Sequence, residues 1–147
     1  MTPLRFMMAS GLTAFLGLMI GGAFESRPVY AQADWQTIEI KAEEYSFTPR
    51  RIQVKANRPL ELVIENEGHE PHQFRSELFR DQTIEVEIDE SAVRGRNIDV
   101  VDIAAGKTAR IKLLSPPAGQ FDFQCRIPSH HGMDGIIQID ADPSPTP

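Results

Sequence analysis

Short runs of alternating apolar and polar residues constrain the fold of this 147-residue chain more than any other feature. Leu60, Leu62 and Ile64 lie at a spacing of two, and Ile52 and Val54 repeat that spacing. Residues two apart share one face of an extended strand, so each run predicts a β-strand. The runs cover residues 35–47, 52–54, 60–64, 83–88, 98–101, 108–114, 120–125 and 135–139. About eight strands separated by turn residues, without a helical period, predict an antiparallel β-sandwich or barrel.

The rest of the chain adds little regular structure to this pattern. A helix is hardest to exclude between residues 76 and 95, where we expect a short helix or an irregular insertion. The sequence has no internal repeat, and residues 34–140 are of ordinary size for one domain. Three prolines within residues 141–147 predict a disordered tail.

The first 33 residues have the layout of an export signal. Arg5 precedes an uncharged stretch at residues 6–24, and AQA at residues 31–33 supplies the small residues that a signal peptidase requires. Cleavage would leave Asp34 as the N-terminus of a periplasmic or secreted domain without a membrane span. An uncleaved anchor is the alternative, because the apolar stretch is nearly long enough to cross a bilayer. We predict cleavage, since glycine, serine and threonine dilute the stretch.

The formal net charge of −6 at pH 7 limits the kinds of partner. An acidic protein is poorly suited to nucleic acid and to anionic lipid, because both carry negative charge. It would instead attract cationic partners in a salt-dependent way.

Side chains that bind soft metals are concentrated in two short segments of the exported part. They are His69 and His72 in EGHEPHQF (residues 67–74), and Cys125, His130, His131 and Met133 in FQCRIPSHHGMDG (residues 123–135). One thiolate, two or more imidazoles and a thioether form the ligand set of a mononuclear blue-copper site. Because the chain has one cysteine, no internal disulfide can form. Metal ligation is a good reason to keep a lone thiol in an oxidising compartment.

The second segment is compact enough for three side chains to converge on one ion. Cys125 ends a predicted strand, and the spacing C-x4-H-x2-M carries His130 and Met133 back towards it. His72 and Phe74 lie two residues apart. If that segment is extended, His72 would point at the metal with Phe74 packed beneath it.

These segments resemble the cupredoxins, the blue-copper family that includes plastocyanin, azurin and amicyanin. The resemblance rests on the Y-x-F-x-P run at residues 45–49, on the Pro71-His72 pair and most of all on the FQCRIPSHHGMDG loop. It covers residues 35–140 and implies a Greek-key antiparallel β-sandwich with one type 1 copper ion. The ligands that it implies are His72, Cys125, His130 and Met133.

The resemblance also implies single-electron transfer by Cu(I)/Cu(II) cycling. We expect a monomer that docks transiently with a redox protein, a cytochrome or an oxidase. His130 would lie near the surface within an apolar patch that includes Ile127 and Pro128, giving partners a short electron route. The family often has Asn where this chain has Gln73, so the hydrogen bond that usually braces the cysteine loop is expected to differ.

Other functions would use the same residues. A copper carrier or buffer is favoured by the surplus histidines: His69 as a substitute or second-metal ligand is one hypothesis, whereas His131 is expected to be an exposed neighbour. The segment PHQFRSELF is also similar to cupredoxin-like domains associated with bacterial iron uptake, and a Cys/His set suits structural zinc. An enzyme is not expected, because multicopper oxidases and copper nitrite reductases need additional histidine clusters.

Overall fold

Two β-sheets around one core make up residues 34–141, the part of the chain that the computed structural model describes. The predicted signal peptide and nearly all of the predicted tail lie outside these residues. The described part contains eleven strands. They are β1 Gln36–Glu43, β2 Ser46–Thr48, β3 Arg51–Lys55, β4 Leu60–Asn66, β5 His72–Ser76, β6 Thr83–Ile88, β7 Ser91–Arg96, β8 Val100–Ile103, β9 Thr108–Leu113, β10 Gly119–Gln124 and β11 Asp134–Asp140. The predicted all-β sandwich is confirmed.

The strand pairing is antiparallel except at two places. One sheet has the order β2-β1-β4-β9-β6-β7, and the other has the order β3-β11-β10-β5-β8. Most neighbours are antiparallel, but β1 pairs with β4 and β3 pairs with β11 in parallel. β3 lies in the other sheet, so the chain leaves the first sheet after β2 and returns to it at β4.

The strand count exceeds the predicted number of about eight. The run at residues 35–47 divides into β1 and β2 near Tyr45, whose φ of 66° turns the chain. β5 begins inside the first histidine segment, where the sequence offers no long alternation. β7 is nearly all exposed, and its one large apolar side chain, Val93, is 62% exposed. Backbone pairing with β6 at the sheet edge holds β7, so burial leaves no pattern in its sequence.

The helix admitted between residues 76 and 95 is a single 3₁₀ turn, Glu77–Phe79. Ser76 Oγ accepts a hydrogen bond from the Leu78 N–H at 3.2 Å, which caps the turn. The remainder forms the β6–β7 hairpin, in keeping with the β-branched residues of β6. No helix within residues 34–141 reaches the length and apolarity that a membrane crossing requires.

Aromatic rings form the part of the core next to the predicted ligands. The Phe74 and Phe123 rings are stacked with centroids 5.0 Å apart. Phe47 contacts both rings edge-on, at 5.6 and 5.3 Å. Phe74 follows His72 by two residues and Phe123 precedes Cys125 by two, so each ring shares a strand face with a ligand. This packing fixes the strand ends from which both ligands project.

Candidate metal centre

Strands β5 and β10, and the loop after β10, bring the predicted ligands to one end of the sandwich. His72 is the first residue of β5, and Cys125 directly follows the last residue of β10. The loop then returns to β11, and the Cys125 N–H donates to Met133 O at 2.9 Å across its base. Inside the loop, the His130 N–H donates to Ile127 O at 2.9 Å. These two bonds hold the loop as a compact turn over the strand end.

Three of the four predicted ligands meet in a buried cluster. One ligand atom each from His72, Cys125 and His130 lies within 4.8 Å of the others. His72 Nδ1 and His130 Nδ1 are 3.1 Å apart, and Cys125 Sγ lies 3.4 Å from His130 Nδ1. The three residues are 1%, 7% and 3% exposed, respectively. The donor atoms therefore face one another in an environment from which water is largely excluded.

The two short separations fit a metal ion bound by these atoms. With metal–nitrogen bonds of about 2.0 Å and metal–sulfur bonds of about 2.3 Å, ligand atoms around one ion lie about 3.3–3.7 Å apart. The observed 3.1 and 3.4 Å need only small shifts to reach that range. Two imidazoles and a thiolate are ligands that copper accepts readily. The residues present therefore fit the metal that the sequence predicts.

The Cys125 sulfur accepts a hydrogen bond from the backbone of β5. The Gln73 N–H donates to Cys125 Sγ at 3.4 Å. The Gln73 side chain takes no part in this contact, because its Nε2 donates to Asp102 Oδ1 at 3.0 Å on the exposed side. Hydrogen bonding at the cysteine sulfur is one of the factors that set the potential of a blue-copper site. Here a backbone amide supplies it, in a position fixed by the sheet.

His130 is more buried than the sequence predicts. Its side chain is 1% exposed, and its outer nitrogen, Nε2, lies 3.0 Å from Glu70 Oε2. The Tyr45 ring meets the imidazole edge-on, with centroids 5.5 Å apart. His130 lies near the surface with Ile127 and Pro128, as predicted, but its imidazole does not face a partner directly, because Glu70 and Tyr45 cover its outer edge.

The second imidazole, His72, has one ring nitrogen without a partner. Its Nε2 is buried and makes no hydrogen bond to any residue that the structure describes. A Cβ at Gly68 would lie 3.0 Å from this nitrogen and 3.0 Å from Glu44 Oε1, so glycine leaves room there for both polar atoms. Burial, reinforced by the neighbouring imidazole of His130, lowers the pKa of His72. A lowered pKa keeps the ring neutral, the form that binds metal.

The other candidate residues of the sequence have separate positions. Met133 is 1% exposed at the end of the ligand loop, and its axial role stays a prediction. His131 is exposed, as expected. His69 is also exposed, and its N–H donates to Glu44 Oε1. Neither histidine joins the cluster that His72 forms, so a substitute-ligand role for His69 gains no support.

Sequence reasoning missed the residues that hold the connection between β4 and β5. Asn66 is fully buried, and its Nδ2 donates to Glu70 O and Ile103 O, both at 2.9 Å. Its Oδ1 accepts the Gly68 N–H at 3.0 Å. The signal for this role was an asparagine two residues before glycine at the end of an apolar strand, since such side chains commonly organise turns. Glu70 has no comparable local signal.

Comparison with known proteins identifies the family of this chain. A family model described as a cupredoxin-like domain matches residues 12–137. The chain belongs to the cupredoxin-like family. A relative of this cupredoxin is the copper-resistant cuproprotein CopI of Pseudomonas aeruginosa, which is 25% identical over 181 residues. That match covers 95% of this chain and 99% of CopI.

Solved structures with similar folds include other cupredoxins and a larger protein. Auracyanin B is 16% identical with a TM-score of 0.53, and the match covers 74% of this chain and 90% of auracyanin B. Auracyanin A of Chloroflexus aurantiacus is 17% identical with a TM-score of 0.51, covering 72% and 99%. A multicopper oxidase from Pseudomonas thermotolerans is 15% identical with a TM-score of 0.59, covering 78% of this chain but 31% of the oxidase. These likenesses confirm the cupredoxin fold.

Proposed function

We propose that this cupredoxin is an exported, non-enzymatic electron-transfer protein that holds one type 1 copper ion. The observation that carries the proposal is the buried cluster of two Nδ1 atoms and one Sγ atom, with separations of 3.1 and 3.4 Å. Copper bound there would supply one-electron chemistry by cycling between Cu(I) and Cu(II). The residues that would hold the ion are His72, Cys125, His130 and Met133.

The protein would assist electron transfer by holding its ligands still. His72 is the first residue of β5, and Cys125 directly follows β10, the strand that pairs with β5. The stacked rings of Phe74 and Phe123 fill the space on the same strand faces, and close packing resists displacement. The Gln73 N–H at the cysteine sulfur is equally fixed. Little protein rearrangement would then accompany a change in oxidation state.

The proposed partner is a redox protein, a cytochrome or an oxidase, that docks transiently over Tyr45 and Glu70. Tyr45 is 51% exposed and the Glu70 side chain is 56% exposed, and each contacts His130. A single residue therefore separates the buried imidazole from the surface. The net charge of −6 would attract a cationic partner, and a small interface allows rapid exchange. The protein would act as a monomer, in the periplasm or outside the cell, after removal of residues 1–33.

Titration of the mature protein with Cu(II), followed by visible absorption and EPR, tests the copper site. An intense thiolate-to-copper band with narrow copper hyperfine splitting at one equivalent would support the proposal. Cys125→Ser should abolish the band, whereas the control His131→Ala changes an exposed residue of the same loop and should retain it. A colourless wild-type complex, or colour that survives in Cys125→Ser, would refute the type 1 assignment.

A copper carrier is the second candidate function, and two observations favour it. CopI, which matches nearly the whole chain, is named for copper resistance. A surface hollow of about 420 Å³ runs along the ligand loop and is lined by Cys125, His130 and Met133 among others, so another protein could approach the loop there. A carrier should release Cu(I) rapidly to a chelator and exchange electrons slowly with a donor. The opposite pair of rates would favour electron transfer.

A further inference from the structure

We infer that Glu70 is a positioning residue, whose carboxylate holds His130 in the orientation and tautomer that a metal ligand needs. This inference rests on the proposed copper site and adds a residue from outside the two ligand-bearing strands and the ligand loop. The contact that carries it joins Glu70 Oε2 to His130 Nε2 at 3.0 Å, between residues 60 positions apart.

The backbone around Glu70 is held in place, which keeps its carboxylate within reach of the imidazole. Asn66 Nδ2 donates to Glu70 O at 2.9 Å, and Asn66 itself is fully buried. The following residue, Pro71, restricts Glu70 to extended conformations. These two constraints act on the backbone of the residue that reaches His130.

The contact also determines which ring nitrogen of His130 carries the proton. A carboxylate oxygen accepts hydrogen bonds, so in a neutral imidazole Nε2 is the donor and Nδ1 keeps its lone pair. His130 Nδ1 is the atom that lies 3.1 Å from His72 Nδ1 and 3.4 Å from Cys125 Sγ. Glu70 thereby leaves the lone pair of His130 facing the cluster. Carboxylates that accept the remote N–H of a ligating histidine have this effect in metal sites generally.

An ordinary exposed ion pair would contribute little, but this pair is unequal in burial. The Glu70 side chain is 56% exposed, whereas the His130 side chain is 1% exposed. Exposed pairs gain little because water serves both partners equally well. The imidazole lies buried beneath Glu70, so without the carboxylate its Nε2–H would exchange an oriented acceptor for water.

The negative charge of Glu70 has a second consequence for a bound copper ion. A carboxylate next to a ligand ring favours the more positive oxidation state, Cu(II), over Cu(I). Loss of the charge should lower the ratio of Cu(II) to Cu(I) affinity by about tenfold, which corresponds to a rise in potential of about 59 mV for a one-electron couple.

Two substitutions at Glu70 separate the hydrogen bond from the charge. Glu70→Gln keeps an oxygen that accepts the Nε2–H and removes the charge, whereas Glu70→Ala removes both. Glu67→Gln is the control, because it makes the same charge change three residues away on a side chain that pairs with Lys41 rather than with the cluster.

The first measurement uses metal-free protein and records the tautomers of ¹⁵N-labelled imidazoles by NMR in alkaline buffer. We expect His130 to be protonated at Nε2 in the wild type, in Glu70→Gln and in Glu67→Gln. In Glu70→Ala we expect the Nδ1–H form of His130 to appear. A wild-type imidazole spectrum in Glu70→Ala would overturn the inference.

The second measurement is the potential of the copper-loaded proteins. Glu70→Gln should raise the potential by the amount given above, and Glu67→Gln should change it much less. Equal shifts in both variants would show a general charge effect and would overturn the role in tuning. If the wild type forms no coloured copper site, the proposed function fails, and the metal-free NMR measurement still decides whether Glu70 positions His130.

Discussion

Replacing Asn66 with alanine should loosen the connection that presents Glu70 and precedes His72. The Asn66 side chain is fully buried and makes three hydrogen bonds inside this part of the fold. It donates to Glu70 O and Ile103 O and accepts from the Gly68 N–H. Alanine fills less space and replaces none of these bonds.

The cost of Asn66→Ala follows from the surroundings of each lost partner. The bonds to Ile103 O and from the Gly68 N–H are buried, and a buried polar group left without a partner costs about 1–3 kcal/mol. The bond to Glu70 O is partly buried, so water can replace it at a cost of about 0.5 kcal/mol. We therefore expect the free energy of unfolding to fall by about 3 kcal/mol.

Urea unfolding of the metal-free protein, followed by far-UV circular dichroism, measures this loss. For a protein of this size the midpoint should fall by about 1–2 M. Gln73→Ala is the control, because its side chain makes one exposed hydrogen bond, to Asp102, and should cost less than about 0.5 kcal/mol. If Asn66→Ala costs no more than the control, the reasoning about the buried connection is refuted. Copper-loaded Asn66→Ala should also differ from the control in its EPR spectrum.

Two further predictions concern the strand that closes the ligand loop. Gly135→Ala should lower the free energy of unfolding in urea by about 3 kcal/mol, because the added Cβ would lie 2.2 Å from Phe123 Cζ. The control Gly106→Ala, whose Cβ would have nothing within 4 Å, should lower it by about 1 kcal/mol. Equal losses in the two variants would contradict the clash. A hydrogen bond from Gln53 is the main cause that lowers the pKa of Asp140. The ionised Asp140 carboxylate therefore contributes stability above the unfolded-state pKa of about 4, and this contribution is lost as the pH falls through the lower folded-state pKa. Asp140→Asn should therefore flatten the acid side of the plot of unfolding free energy against pH, and an unchanged slope would argue against that contribution.

The sequence predicted most of the fold because alternation reports burial on one face of a strand. The prediction failed for strands that are held by backbone pairing and not by burial of one face. β7 is joined to β6 through its backbone and leaves Val93 exposed, so its residues carry no alternation. The parallel pairs β1–β4 and β3–β11 depend on which sheet each strand enters, and periodicity within a strand contains no such information.

The candidate site was predictable to the extent that its contacts are local in sequence. Cys125 and His130 are five residues apart, and their spacing alone indicated convergence. His72 joins them across 58 residues, and its role was predicted from its two-residue spacing to Phe74 together with the family resemblance. Glu70 contacts His130 across 60 residues in a segment without a motif, and only the folded chain reveals that pair. The cover over His130 was not predicted for the same reason, since Tyr45 and Glu70 come from elsewhere in the chain.

Electron transfer and copper delivery make opposite demands on the ligands, and the two imidazoles meet them differently. His130 has both ring nitrogens engaged, Nδ1 within the cluster and Nε2 with Glu70, whereas His72 Nε2 is buried without a described partner. When neutral His72 binds a metal through Nδ1, its ring proton must lie on Nε2, and a buried donor without an acceptor costs about 1–3 kcal/mol. That cost weakens the metal bond at His72 and leaves the bond at His130 intact. His130, whose outer nitrogen has Glu70 as its acceptor, is therefore the imidazole that the described residues hold more firmly in place.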